Sequence, residues 1–208
     1  MNNLESVIAR IETELDEKDQ IREIALKSSR AVVRLSGSVL KGLHRREDVK
    51  NLLADLKDET SRLSSLLGEH PDLTRTGYVV SAFQEYAEVG IVMSLLERDD
   101  VPTLEELGIG SAPYLLALGD VVGELRRFAL EELRRGNADQ ASHFLDRMED
   151  IYHALIRFDY PDAIAAVKHK QDVARSLLEK TRGDVAVAVS TRRLHDKLEE
   201  LLGRPDKS

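Results

Sequence analysis

The chain has 208 residues, of which 42% are hydrophobic and 33% charged, and its formal net charge at pH 7 is -8. That length suits one domain with a real core; aromatic residues at 4% and no Trp leave the core to Leu, Val, Ile and Ala, and the lack of Cys excludes disulfides, thiolate nucleophiles and Cys-based zinc sites. The acidic balance argues against wholesale coating of nucleic acid but leaves room for a local basic face. The longest apolar stretches fall short of the roughly 20 residues that span a bilayer, and the sequence opens without a basic segment leading into an apolar one, so a cytoplasmic protein with no membrane partner is expected.

Apolar residues recur at helical period almost throughout, which predicts an all-α chain. A first helix over residues 4–44 carries Leu4, Val7, Ile8, Ile11 and Leu15, continued by Ile21, Ile24, Ala25, Ser28, Val32, Leu35, Val39 and Leu43, as an inward-facing stripe. A second, 48–67, stops at Gly68. A third, 73–97, closes before Asp99-Asp100-Val101-Pro102. Thr103 with Glu106 three residues on reads as a capping box for a short turn through Leu107. Ser111-Ala112-Pro113 starts a fourth long helix that ends at Gly136, and 139–158 forms the next, with Phe144, Leu145, Met148, Ile151, Tyr152 and Leu155 inward. Pro161 is expected to open a helix capped by Gly183. The last helix, 185–202, is favoured by Leu194, Leu198 and Leu201 over a strand hinted at by Val185, Val187 and Val189. The sum is a single bundle of six or seven mostly long helices over residues 1–202, with a polar tail over 203–208.

Two acid pairs carry the chemical signal. Glu85 and Glu88 are three apart on the third helix, Asp120 and Glu124 four apart on the fourth, so each pair shares one side of its helix. Both helices are apolar over much of their circumference, and acids in such surroundings need partners, either a cation or Arg; Arg126 and Arg127 are the nearest structural candidates. Mg²⁺, with Mn²⁺ as the alternative, prefers hard oxygen ligands and keeps several waters, so a few carboxylates and a substrate phosphate suffice. Such a cation neutralises charge on a phosphodiester and lowers the pKa of a bound water. The ordinary alternative is that the acids are solvated helix faces. Gly119 and Gly123, four apart on the second acid helix, imply close approach of another backbone, or room for a metal or substrate. No Gly-rich phosphate loop and no His-Glu-x-x-His motif is present, and His143 and His153 are expected to be structural. On the first helix, Lys27, Arg30, Arg34, Lys41 and Arg45 stack on one stripe, extended by Arg46 and His44; a stripe of this kind tracks a phosphate backbone, although an exposed helical face is ordinarily charged.

The segments Arg22-Glu23 through Leu43-His44-Arg45, Gln84-Glu85-Tyr86-Ala87-Glu88, and Tyr114-Leu115-Leu116 through Gly123-Glu124-Leu125-Arg126 together resemble the translin family, and within it the nuclease-type subunit known as translin-associated factor X. Tyr160 to Gly183, with Lys168, Lys170 and Arg182, is similar to that family's later helices. The resemblance implies an all-helical subunit that assembles into a closed shell, expected to be octameric, binds single-stranded RNA and in some cases single-stranded DNA on its interior, and cleaves RNA endonucleolytically with Mg²⁺. By position the catalytic and metal-holding residues are then Glu85, Glu88, Asp120 and Glu124, with Lys27, Arg30, Arg34, Lys41, Arg45 and Arg46 guiding the strand. The chain lacks the insertion between the acid helices and the basic tail of the eukaryotic pattern, so a homo-oligomer is expected. Two rivals remain: a non-catalytic translin-like single-stranded RNA/DNA-binding protein, and an all-α nucleotide pyrophosphohydrolase, which also pairs acids on facing helices.

Overall fold

The first proline is Pro71, and ahead of it the chain makes two long helices, α1 (Asn2–Arg45) and α2 (Lys50–Glu69), joined by a turn in which Arg46 takes a left-handed φ of 58°. The computed structural model describes residues 2–162 and 164–202, so the polar tail predicted over 203–208 lies outside the described residues. A 3-10 turn (Pro71–Leu73) follows, then α3 (Gly77–Arg98), the short α4 (Leu104–Leu107), α5 (Ser111–Arg134), α6 (Ala138–Leu155) and α7 (Val167–Leu202); among the described residues there is no strand. The all-α expectation holds. The chain forms two compact units, Met1–Gly90 with Thr103–Pro113, and Ile91–Pro102 with Tyr114–Ser208.

In the first unit α1 packs along α2. Ala25, Val32 and Val39, seven residues apart on α1, are buried, as are Leu56, Leu63 and Leu67 of α2, and the small Ser29 and Ser36 between them let the two helices approach closely. Ser28 Oγ donates to Glu59 across the pair at 2.7 Å. The inward stripe expected at the start of α1 is corrected here: Leu4, Val7, Ile8, Ile11 and Leu15 are all exposed, and so is Ile24, because α1 carries no buried residue before Ala25. The capping box forms as expected, with Glu106 N–H donating to Thr103 Oγ1 at 3.1 Å and Thr103 N–H to Glu106 Oε2 at 2.7 Å.

In the second unit, Leu118, Val121, Val122, Leu125 and Ala129 of α5 are buried, together with Phe144, Met148, Ile151 and Leu155 of α6 and Ala174, Leu178 and Val185 of α7. The rings of Phe128 and Phe144 stack at 5.6 Å. Besides the start of α3, which falls at Gly77 rather than 73 because a 3-10 turn occupies Pro71–Leu73, two helix boundaries differ most from expectation. Residues 156–162 and 164–166 are turns and irregular chain rather than a helix opened by Pro161, and Gln171 Nε2 donates to the carbonyls of Leu155 and Phe158, satisfying the end of α6. Gly183 does not end a helix. It sits inside α7 at a cost of about 1 kcal/mol relative to Ala, and its neighbours hold the helix through it: Thr181 and Val185 are buried, and Arg126 donates to Thr181 Oγ1 at 2.6 Å and pairs with Asp184 at 2.9 Å.

α3 is long and apolar enough to span a membrane by length and composition, with a mean hydropathy of 1.3 over its best window, contrary to the shorter apolar runs expected; half of that window is buried inside the protein, as in a core helix.

Candidate functional site

On α5, Asp120 and Glu124 lie one turn apart, with side chains only 27% and 20% exposed. Their helix buries Ala117, Leu118, Gly119, Val121, Val122 and Leu125, so both carboxylates stand at the border between core and solvent. Asp120 Oδ1 receives the Lys170 ammonium in a hydrogen-bonded ion pair, and Lys170 comes from α7, fifty residues away in sequence. Gly119 explains how. A Cβ at position 119 would lie 2.6 Å from Lys170 Cβ and 3.0 Å from its Cγ, so the missing side chain is the bed on which the lysine stem runs towards the carboxylate. At Gly123 the nearest atom to such a Cβ is Leu177 Cδ1 at 3.8 Å, an ordinary contact. The glycine pair therefore divides: close approach of α7 is needed at Gly119 and is not at Gly123. Of the two expected arginines, Arg127 Nη1 lies 4.0 Å from Glu124 Oε2, whereas Arg126 is spent on Asp184 and Thr181.

The second pair sits on α3 within the first unit. Glu85 is half-buried and Glu88 is 6% exposed, flanked by the buried Ala87 and Val89. Between the two acids, burial pushes the Tyr86 phenol above its ordinary pKa. Among the described residues no three His, Asp or Glu side chains form a group that holds a metal ion. Mg²⁺ bound through one or two carboxylates, with water and phosphate completing its shell, needs no such group, and the donor set on each helix is of the right hard-oxygen type. His143 is structural, its Nε2 3.0 Å from Asp99 Oδ1, and His153 is exposed.

The basic stripe of α1 is real as geometry. Lys27, Arg30, Arg34, Lys41 and Arg45 are all exposed, while Arg46 falls in the turn beyond the helix. Lys27, Arg30 and Arg34 line an open groove of about 650 Å³ between α1 and α2, to which α2 adds Arg62, a cation that sequence spacing on α1 could not reveal. Glu23 and Glu59 also line it, and Arg62 leans on Glu59 at 3.2 Å. Further along, Arg45 faces Glu47 at 3.8 Å. Lys170 is the other site residue without a local signal; only its place in α7 opposite Gly119 brings it to Asp120.

An all-α fold over the described residues, with acid pairs on α3 and α5 and a groove between α1 and α2 lined by several cations, belongs to a recognisable class. The translin family model matches residues 20–183, and this chain belongs to that family. An uncharacterized protein of Methanocaldococcus jannaschii is 31% identical over 191 residues, spanning 90% of this chain and 85% of that one. Among solved structures, apo-NeC3PO is similar in fold, with a TM-score of 0.77 at 22% identity over 87% of this chain and 96% of that one. AfC3PO has a TM-score of 0.73 at 28% identity over 89% and 98% of the two chains, and the same protein in complex with duplex RNA has 0.72 at 27% over 89% and 97%.

Proposed function

We propose that this protein binds RNA as a translin-type oligomer and cleaves single-stranded RNA with Mg²⁺ or Mn²⁺, using Glu85 and Glu88 from α3 and Asp120 and Glu124 from α5. Family membership and the RNA complex of the similar AfC3PO support the binding half. The cleavage half is carried by one observation: Asp120 and Glu124 stand one turn apart, part-buried on an apolar helix, with a lysine cation already held against Asp120. When bound, the divalent cation would supply neutralisation of phosphodiester charge and a more acidic water. The chain's own residues do the rest. The carboxylates would hold the cation, one of them not fully used as a ligand would take the proton from the attacking water, and Lys27, Arg30, Arg34 and Arg62 would bind the phosphate backbone, with Lys41, Arg45 and Arg46 extending the track. A closed homo-oligomeric shell, octameric in this reading, and a cytoplasmic location complete the proposal; single-stranded DNA is a second ligand of the same groove.

The Lys170–Asp120 ion pair also favours a rival reading, in which the acid is satisfied structurally and the protein binds without cutting. One experiment separates them. Labelled single-stranded and duplex RNA, and nucleoside triphosphates in parallel, are incubated with and without Mg²⁺ using the unaltered protein, Glu88→Ala and Glu124→Ala, each shown to be helical. Cation-dependent cleavage of single-stranded RNA by the unaltered protein alone is expected. Binding without cleavage selects the rival, hydrolysis of triphosphates selects a pyrophosphohydrolase, and equal cleavage by the variants places the active centre elsewhere.

A further inference from the structure

Two helical segments of this chain lie outside the part that matches the family: the start of α1, before residue 20, and the end of α7, after residue 183. Both present apolar stripes to solvent. On α1, Leu4, Val7, Ile8, Ile11 and Leu15 are 44–59% exposed, and on α7, Val187, Leu194, Leu198 and Leu201 are 48–70% exposed. Every residue from Asn3 to Gln20 is exposed. A helical stretch of that length with no packed face is marginal in water, since most helical stability in proteins comes from burying an amphipathic face, and a contiguous apolar stripe rimmed by charge marks an interaction surface.

We infer that these stripes are the two halves of one contact between copies of this chain, the start of α1 in one copy lying antiparallel against the end of α7 in another. The spacing is the first argument. Ile8, Ile11 and Leu15 step by three and then four residues; read in reverse, Leu201, Leu198 and Leu194 do the same, so an antiparallel pair sets Ile8 against Leu201, Ile11 against Leu198 and Leu15 against Leu194 in one coiled-coil register. Charge is the second. Residues 3–20 hold six acids (Glu5, Glu12, Glu14, Asp16, Glu17, Asp19) against two bases (Arg10, Lys18), whereas residues 186–202 hold three bases (Arg192, Arg193, Lys197) against three acids (Asp196, Glu199, Glu200). Two α1 segments would accept each other's apolar side chains but would face acid to acid across the seam. Against α7, the same register brings Glu14 to Lys197 and Glu12 to His195, on opposite flanks of the stripe. Antiparallel packing also opposes the two helix dipoles. Because each copy carries both halves, the contact closes either as a reciprocal pair or as a ring, and it is an addition to whatever assembly the family-matched residues make.

The chain has no Cys, so introduced cysteines are unique. Ile11→Cys and Leu198→Cys chains, carrying different tags, are co-expressed, purified as the assembled protein and mildly oxidised. A disulfide joining the two tagged chains is expected, in several-fold excess over any formed by Ile11→Cys with itself, because only facing positions reach disulfide distance. Dominant self-linking of Ile11→Cys, stronger linking of Ile8→Cys to Leu198→Cys (the parallel register), or no link at all overturns the inference. So does a doubly substituted chain that links within itself and stays at monomer mass. In parallel, Ile11→Glu with Leu198→Glu is expected to lower the mass measured by light scattering, with any fall in helix content by circular dichroism no larger than the two uncovered end segments account for; unaltered mass overturns it equally.

Discussion

Replacing Gly119 by Ala tests whether the lysine stem rather than helix propensity governs this position. The new methyl group would stand 2.6 Å from Lys170 Cβ, 3.0 Å from Cγ and 3.2 Å from Cδ, whereas carbon pairs settle at about 3.5–4.0 Å. Roughly 1 Å must be found by moving α7 or expelling Lys170, and overpacking of this kind costs about 1–3 kcal/mol. Against it stands a gain of about 1 kcal/mol from removing a glycine in a helix interior. The net expectation is a destabilisation of about 0–2 kcal/mol. Gly123→Ala, four residues along the same helix, meets only Leu177 Cδ1 at 3.8 Å, so it should keep the whole propensity gain and be more stable than the parent by about 1 kcal/mol. The two alanine variants should therefore differ by about 1–3 kcal/mol in urea unfolding, or about 2–4 °C in melting temperature per kcal/mol for a chain of this size. If Gly119→Ala proves as stable as Gly123→Ala, the close approach of α7 at Lys170 is not what keeps glycine at 119.

Removing the lysine charge while keeping its stem, as Lys170→Met, frees Asp120 from an ammonium that competes with a divalent cation; Mn²⁺ binding followed by titration calorimetry should tighten, and unchanged affinity would take Asp120 out of the ligand set. Arg30→Gln with Arg34→Gln removes two cations from the groove, so the slope of log affinity for single-stranded RNA against log salt should flatten by about 0.7 for each lost phosphate contact; an unchanged slope would place the strand elsewhere. Burial holds the Tyr86 phenol above its ordinary pKa, so its neutral form contributes stability that is present below the unfolded value of about 10 and is lost as pH rises through the folded one. Tyr86→Phe should accordingly remove one late-titrating phenol from the 295 nm titration and weaken the alkaline fall in stability.

Much of the fold was legible because helical periodicity, capping and glycine stops are local. The Thr103–Glu106 capping box and the starts of α2 and α5 follow from a few neighbouring residues. The errors share a cause: they sit where distant packing outweighs the local rule. Pro161 is a good first-turn residue, yet Gln171 takes the carbonyls of Leu155 and Phe158 and the helix begins at Val167 instead. Gly183 is a good stop, yet Arg126 from α5 braces Thr181 and Asp184 on either side of it. The start of α1 is the converse. Its apolar period is correct for a helix, but period alone says only that a face wants covering, not that this chain covers it.

The same distinction governs the site. That Asp120 and Glu124 share a face follows from their spacing, and that the face borders a core follows from the apolar residues around it. The identity of the cation already against Asp120 does not, because Lys170 is related to it only through the crossing of α7 over α5 at Gly119. The glycine was visible in the sequence as an unexplained cost, and the structure turns that cost into a positional requirement. A part-buried carboxylate needs a positive partner whether or not a divalent cation is present; Lys170, its stem resting against bare backbone at Gly119, supplies one. Were a divalent cation to bind as proposed, Asp120 would exchange one positive charge for another and the Lys170 ammonium would be left to meet a phosphate oxygen, so the packing of α7 on α5 at Gly119 would bear on the chemistry proposed for the site.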